Sequence, residues 1–145
     1  MLKKILVPTD GSELSVKAIN GAIEVAQLTG AKLVGMTVTE PYPYSPMSEY
    51  SPTESFEHYD TRVKREANLR LSVLQEAASK VGLSVEIDIR SSLSPYEAII
   101  SSAKEKDCDT IFMASHGRRG LSSLLIGSET QKVLTHSTIP VLVFR

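Results

Sequence analysis

The sequence predicts an α/β protein with a doubly wound, flavodoxin-like parallel sheet. We expect five strands in the order 3-2-1-4-5, helices on both faces and a single domain over residues 1–145. Short apolar runs alternate with amphipathic stretches of helical period, which is the pattern of β-α-β units. The first apolar run is continuous rather than alternating, as expected for a strand covered on both faces. Glycine follows the first two helical stretches, at Gly30 and Gly82, and ends each of them.

The first half of the chain predicts two strands, at residues 4–8 and 32–38, each followed by a helix. Ser12 is the predicted N-cap of the first helix, and the second helix covers about residues 55–80. Helical spacing predicts the buried faces of both helices, which are Val16, Ile19, Ile23 and Ala26 in the first and Val63, Ala67, Leu71, Leu74, Ala78 and Val81 in the second.

Residues 40–54 interrupt this alternation. Four of the chain's seven prolines lie there, interleaved with three tyrosines. Long connections are usually functional lids or mobile loops, and the sequence leaves both interpretations open.

The second half predicts three further strands and two helices. Residues 84–90 alternate polar and apolar side chains, which is typical of a half-exposed edge strand. Ser94 and Pro95 start a helix, with Glu97 in its first turn and Ala98, Ile99 and Ala103 on its buried face. The fourth strand covers residues 110–113. After a last helix, Pro140 precedes a fifth strand and favours an edge position for it.

Composition limits the classes of function. Sixteen basic against seventeen acidic residues give a net charge of −1, so no basic field favours nucleic acid or an anionic membrane. One cysteine, Cys108, excludes an internal disulfide and a multi-cysteine metal cluster, and we expect it to be a buried thiol. The N-terminal apolar run is too short for a signal-peptide core, and nothing approaches a membrane span. A cytoplasmic protein is therefore expected.

The most specific signal is MASHGRRGLSSLLIGS, residues 113–128, between the fourth strand and the last helix. In α/β proteins such a strand–loop–helix segment binds phosphate, because glycines let the backbone approach and free N–H groups at the helix start point at the anion. Ser128 and Gln131 also fit a capping box, so the hydroxyl has two possible roles. Arg118 and Arg119 either balance phosphate charge or form an exposed turn.

The predicted topology directs a second loop to the same place. Ligands of doubly wound sheets bind beyond the carboxyl ends of the strands at the switch point, here between the first and fourth strands. Asp10 follows the first strand, where its carboxylate either forms an Asx-type turn or binds a ribose hydroxyl or a metal. His116 is either a structural hydrogen-bonding residue or a functional one. Four apolar residues near the loop read as packing residues or a dimer surface, namely Leu121, Leu124, Leu125 and Ile126.

Several enzyme motifs are absent from the sequence. It has no P-loop, no G-x-G-x-x-G and no G-x-S-x-G elbow. Its three histidines lie on separate predicted elements without metal-ligand spacing, so no histidine metal site is predicted, and no residue is assigned as catalytic. No side chain is an obvious base for activating water, which argues against a fast ATPase.

The chain resembles the universal stress protein family over nearly its whole length. The matching pieces are KILVPTDGS at residues 4–12, DTIFMASHGRRGL at 109–121, and the pair Gly127-Ser128 followed by STIPVLV at 137–143. The spacing is similar to the family's G-x-x-G-x9-G-[S/T] nucleotide loop, with Ala114 in place of the first glycine. Alanine is harmless if this position only ends the strand, and it weakens binding if the position needs a positive φ.

The resemblance implies the ATP-binding branch of the family, with ATP bound alone or with Mg²⁺. It assigns Pro8, Thr9 and Asp10 to the nucleoside and the Val38 backbone to the adenine edge. It assigns Met113, Ala114 and Gly117 to the ribose and α-phosphate, and Gly127, Ser128 and the Glu129 N–H to the outer phosphates. Arg118 completes the set of candidate binding residues.

The implied function is an ATP-binding regulatory protein of the stress response, with little or no ATPase activity and an unidentified protein partner. Two alternatives stay open, namely a nucleotide-free dimeric adaptor and an adenine-nucleotide hydrolase or transferase. A homodimer is expected through residues 141–144, because the unpaired groups of an edge strand favour pairing with a two-fold mate.

Overall fold

The structure is a computed structural model that describes residues 1–43, 54–117 and 126–145. These residues form five strands and four helices in strict alternation. In chain order they are β1 (Lys4–Pro8), α1 (Glu13–Thr29), β2 (Lys32–Thr39), α2 (Phe56–Ser79), β3 (Val85–Ser91), α3 (Pro95–Glu105), β4 (Thr110–Ala114), α4 (Ser128–His136) and β5 (Val141–Phe144).

The strands form one sheet in the order β3-β2-β1-β4-β5, and every pairing is parallel. The predicted fold class and strand order are confirmed. β1 pairs with β2 from Lys4–Lys32 to Pro8–Met36, whereas β2 and β3 stay paired as far as Thr39–Ser91. β2 therefore extends past the end of β1, which leaves one side of its last residues open.

The core has two layers, one on each face of the sheet. Side chains of α1 and α2 pack with Ile5, Val7 and Leu33 on one face. Those of α3 and α4 pack with Leu6, Val34 and Ile111 on the other. Gly35 lets α2 approach β2 closely, because a Cβ there would lie 2.7 Å from Leu74 Cδ2. Since β1, β2 and β4 are covered on both faces, all of β4 and the central residues of β1 and β2 are buried.

The predicted helix ends are largely confirmed. The Ser12 hydroxyl accepts from Ser15 N at 3.2 Å and caps α1, and Gly30 ends α1 with φ +71°. Pro95 is the first residue of α3. Three predicted core residues lie outside the core: Val16 and Val63 are only half-buried, and Val81 is exposed. Val81 lies beyond the end of α2 and is 42% exposed, because the chain turns away from the sheet at Gly82, whose φ is +76°.

Cys108 is buried just before β4, as predicted, and burial raises the pKa of its thiol to about 11. No helix formed by the part of the chain described here is both long enough and apolar enough to cross a membrane.

Candidate functional site

A cleft of about 730 Å³ opens at the carboxyl ends of the strands. Its walls come from the ends of β1, β2 and β4, the start of α4 and one face of α2. Ten of the eleven predicted site residues line it, namely Pro8, Thr9, Asp10, Val38, Met113, Ala114, Gly117, Gly127, Ser128 and Glu129. The eleventh, Arg118, lies outside the described residues, as do Arg119, Leu121, Leu124 and Leu125.

A buried set of hydroxyl groups fixes the floor of the cleft at the end of β1. Thr9 N donates to Met36 O at 2.8 Å, and the Thr37 hydroxyl donates to Thr9 O at 2.7 Å. The Thr9 hydroxyl lies 2.9 Å from the Ser15 hydroxyl and accepts from Gly11 N at 3.2 Å. Because buried polar groups are costly to leave unsatisfied, these bonds hold the turn after β1 in one conformation.

Asp10 does form the predicted Asx-type turn, since its Oδ1 accepts from Ser12 N at 3.0 Å. The carboxylate also packs against Gly117, where an added Cβ would overlap with Asp10 Oδ2. The loops after β1 and β4 therefore touch through the Asp10 side chain, and a larger residue at position 117 would displace that carboxylate.

Ala114 is the last residue of β4 and is buried. It is not among the described non-glycine residues with positive φ, so alanine is compatible with the backbone there. The Thr130 hydroxyl, itself buried, donates to Ala114 O at 3.0 Å and ties the first turn of α4 to the end of the strand. His116 is held locally by a contact of 3.1 Å between its Nδ1 and the Ser115 hydroxyl.

The start of α4 differs from the predicted capping box. The N-cap residue is Gly127, no side chain caps the helix, and Ser128 is its first residue. The capping-box prediction is wrong because Gln131 N donates to Gly127 O at 2.9 Å, so the helix starts one residue earlier than expected. The first N–H groups of α4 are consequently not engaged by a cap side chain and face the cleft with the positive end of the helix dipole.

Gly127 is required by close approach rather than by φ, which is −61°. A Cβ at this position would lie 3.0 Å from both Cα and Cβ of His116 and 3.3 Å from Ser115 O. The first turn of α4 therefore rests directly on the backbone that follows β4.

The Glu129 side chain is turned away from the first turn of its own helix. Its Oε2 accepts from Tyr96 N at 2.9 Å, and its Oε1 lies 2.8 Å from Lys132 Nζ. The N-cap residue of α3, Ser94, makes no side-chain cap bond. The Glu129 carboxylate, from the neighbouring helix, instead accepts a bond from an N–H group in the first turn of α3. The Glu129 N–H is thus available on the cleft side while the negative charge is engaged elsewhere.

Val38 lies on the part of β2 that extends past β1. Met36 O bonds toward β1, and Thr39 O accepts from Ser92 on the β3 side at 3.0 Å. Because a strand's hydrogen-bonding direction repeats every second residue, the backbone groups of Val38 point toward the β1 side, where β1 has already ended. They face the cleft, and Arg70 Nη1 donates to Val38 O at 3.3 Å.

The sequence interpretation missed the wall that α2 contributes. Five of its side chains line the cleft at intervals of 3, 1, 3 and 4 residues, namely Tyr59, Arg62, Val63, Glu66 and Arg70. This spacing is helical and runs beside the buried stripe that the sequence did predict. The sequence contains this stripe of charged side chains, but no feature of the nearby sequence shows that the stripe faces a ligand cleft rather than solvent.

The charges on this wall are connected. Arg62 binds Glu54 through two hydrogen bonds, of 3.2 Å and 2.8 Å, and reaches Glu66 at 3.3 Å. The bonds from Arg62 lower the pKa of Glu54, and the carboxylate raises the pKa of Arg62 in turn. Tyr42, whose hydroxyl donates to Glu54 O at 2.7 Å, joins the chain on both sides of residues 44–53. Those ten residues lie outside the described residues. The choice between a functional lid and a mobile loop for residues 40–54 therefore stays a prediction.

The cleft combines the backbone N–H donors at the start of α4, the open edge of β2 at Val38 and the carboxylate of Asp10. This combination suits a ligand with an anionic end and a hydrogen-bonding ring. Across residues 1–43, 54–117 and 126–145, no three histidine, cysteine, aspartate or glutamate side chains are grouped so as to hold a metal ion.

Comparison with known proteins gives consistent similarities. The model of the universal stress protein family matches residues 1–145. Universal stress protein YxiE of Bacillus subtilis is 32% identical over 149 residues, which cover 100% of both chains. The solved structure of protein MJ0577 of Methanocaldococcus jannaschii superposes with a TM-score of 0.82 at 28% identity, covering 99% of this chain and 96% of that one.

A third similarity shows the shared fold alone. The structure of the universal stress protein from Archaeoglobus fulgidus in complex with dAMP has a TM-score of 0.68 and 21% identity, and it covers 100% of each chain.

Proposed function

Because the chain belongs to the universal stress protein family, we propose that it is a regulatory protein that binds an adenine nucleotide, ATP in particular, in the cleft at the carboxyl end of its sheet. The observation that carries the proposal is the meeting of three separate segments in that cleft, the loops after β1 and β4 and the open end of β2. The A. fulgidus protein, which has the same fold, was solved with dAMP, so an adenine nucleotide is the first ligand to test.

The binding mode follows from the polarity of the cleft. In our proposal, the N–H groups at the start of α4, with Gly127 and the Ser128 hydroxyl, receive the phosphates. Asp10 receives a ribose hydroxyl or a Mg²⁺ ion that arrives with the phosphates. The Val38 backbone receives the base, while Pro8, Thr9, Met113, Ala114 and Gly117 surround the sugar. Arg118 is proposed to balance the phosphate charge.

We propose that binding, rather than turnover, is the function. Asp10 Oδ1 accepts from Ser12 N, and His116 Nδ1 lies 3.1 Å from the Ser115 hydroxyl, so we assign both side chains a structural or binding role. The proposal includes a cytoplasmic location, for which one buried, reduced cysteine is suited.

Calorimetric titration of the purified protein with ATP, AMP and adenosine tests this function. Acid release and chromatography of any small molecule that co-purifies should be done first. ATP should bind more tightly than AMP, and AMP more tightly than adenosine, because each phosphate gains hydrogen bonds at α4. Equal affinity for all three would contradict the phosphate assignment. No binding of any would favour the nucleotide-free adaptor, and rapid release of ADP would favour the hydrolase.

We also propose a homodimer through β5. β5 is an edge strand, and Leu142 is 40% exposed on it, so pairing with a two-fold mate would cover both its open edge and this side chain. Light scattering at micromolar concentration should give twice the chain mass. A monomer mass at that concentration would contradict the proposal.

A further inference from the structure

The Arg70 guanidinium joins the charged wall of α2 to the end of β2 that faces the cleft. Arg70 Nη1 donates to Val38 O at 3.3 Å, and Arg70 Nη2 lies 3.8 Å from Glu66 Oε2. The Arg70 side chain is 16% exposed, whereas that of Glu66 is 47% exposed. Arg70 is thus packed beneath the wall, and Glu66 stands in the cleft beside the strand edge.

Near Val38, the backbone supplies a hydrogen-bond donor and the Glu66 side chain supplies an acceptor. The N–H of Val38 points into the cleft and is a donor suited to a ring nitrogen that accepts. Its carbonyl already accepts a bond from Arg70, which uses one of its two lone pairs. A second acceptor is supplied by Glu66, whose two oxygens together offer about four lone-pair positions. Arg62, at 3.3 Å, and Arg70 each face one of those oxygens, which leaves further positions open to a ligand.

A purine with a 6-amino group fits this pattern. Its ring nitrogen accepts and its amino group donates, so the pair matches a backbone N–H beside a carboxylate. A 6-oxo purine presents a carbonyl oxygen and a protonated ring nitrogen at the same two positions. The oxygen would then face the negative carboxylate, and the ring N–H would face the backbone N–H.

We propose that Glu66, held in place by Arg62 and Arg70, is the side chain that selects 6-amino over 6-oxo purines in this cleft. The inference rests on the proposed nucleotide function and adds a specificity residue to it. The contacts with the two arginines restrict the rotamers of the Glu66 carboxylate, so the acceptor is in place before the base arrives.

The test measures Kd for ATP and ITP, which differ at position 6 of the base and in the protonation of the adjacent ring nitrogen. Wild-type protein should bind ATP at least about tenfold more tightly than ITP, as expected for losing one hydrogen bond to a charged group and gaining a repulsive contact. Glu66→Gln should reduce the ratio to about threefold or less, because the amide can donate to the 6-oxo group. Most of the change should be a gain for ITP.

Two further variants serve as controls. Glu76→Gln removes a carboxylate from an exposed position on the same helix, outside the cleft, and should leave the ratio unchanged. Ser128→Ala should weaken ATP and ITP by the same factor, because it changes the phosphate end alone.

The outcomes separate the two proposals. If wild-type protein binds ATP and ITP equally, or if Glu66→Gln leaves the ratio unchanged or weakens both nucleotides in parallel, the role of Glu66 is wrong and the nucleotide function stands. If wild-type protein binds neither nucleotide, both proposals fail.

Discussion

Replacing Gly127 by alanine tests the contact between α4 and the chain after β4. The new Cβ would lie 3.0 Å from Cα and Cβ of His116 and 3.3 Å from Ser115 O, so backbone rather than a flexible side-chain end must move. Overpacking of this kind costs about 1–3 kcal/mol. Alanine also has less conformational freedom than glycine in the unfolded chain, which stabilises the folded protein by about 0.4–1 kcal/mol. This gain applies because the native φ of −61° suits alanine.

We therefore expect Gly127→Ala to lower the free energy of unfolding by about 1–2 kcal/mol. For a chain of this size that corresponds to a decrease in Tm of about 2–8 °C. Nucleotide binding should weaken by about tenfold or more, because the N–H groups of Ser128 and Glu129 move with the helix start. Thermal unfolding and calorimetric titration measure the two effects separately.

Gly82→Ala is the matched control for this variant. Gly82 has φ +76°, and no atom lies within 4 Å of an added Cβ. Alanine at this position therefore causes backbone strain but no steric overlap. It should destabilise the fold by about 1–2 kcal/mol and leave the Kd for ATP unchanged. Wild-type Tm and affinity in Gly127→Ala would refute the close-contact reasoning. Equal loss of affinity in both variants would show that binding follows overall stability instead.

Three other predictions concern single side chains. Ser128→Ala should weaken ATP binding by about 0.5–2 kcal/mol without lowering Tm, because Ser128 does not occupy the N-cap position; a lower Tm with unchanged Kd would reverse that assignment. At pH 8 a disulfide reagent should react far more slowly with Cys108 in the native than in the unfolded protein, because burial raises the thiol pKa to about 11, and equal rates would contradict the burial. Hydrogen bonds from Arg90 and Ser101 lower the pKa of Glu105 from 4.5 to about 2. The ionised carboxylate therefore stabilises the fold fully above about pH 5, and this stabilisation is lost as the pH falls toward 2. Urea unfolding of wild type and Glu105→Gln should therefore differ at pH 6 and converge in acid, and a difference that grows in acid would contradict this sign.

Local sequence was sufficient for the architecture. The period of the apolar residues distinguishes strands from helices, and the burial of β1, β2 and β4 on both faces accounts for their continuous apolar runs. Ten predicted site residues lie in one cleft because topology brings the ends of adjacent parallel strands together, and those ends can be read from the sequence. Their role in binding stays a prediction.

The details that the sequence misjudged depend on contacts between distant segments. Ser128 and Gln131 have capping-box spacing, but Gln131 N donates to Gly127 O, and Gly127 itself is held against β4 through its bond to Ser115 O. Val81 has the helical spacing of a core residue, but α2 ends at Ser79 and leaves it exposed. In each case a local pattern was correct in type and wrong by one or two residues at its boundary, where tertiary contacts determine the end.

The sequence by itself determined the order and kind of the secondary-structure elements, the edge character of the third strand and the two loops that meet at the switch point. The tertiary structure alone decided that a face of α2 lines the cleft and that Glu129 serves the start of α3. The physical reason is that periodicity fixes which residues share a helix face, whereas the direction in which a polar face points depends on how the helix packs against the sheet. The packing of α2 on β2 through Gly35 sets that direction, and so places Glu66 and Arg70 beside Val38.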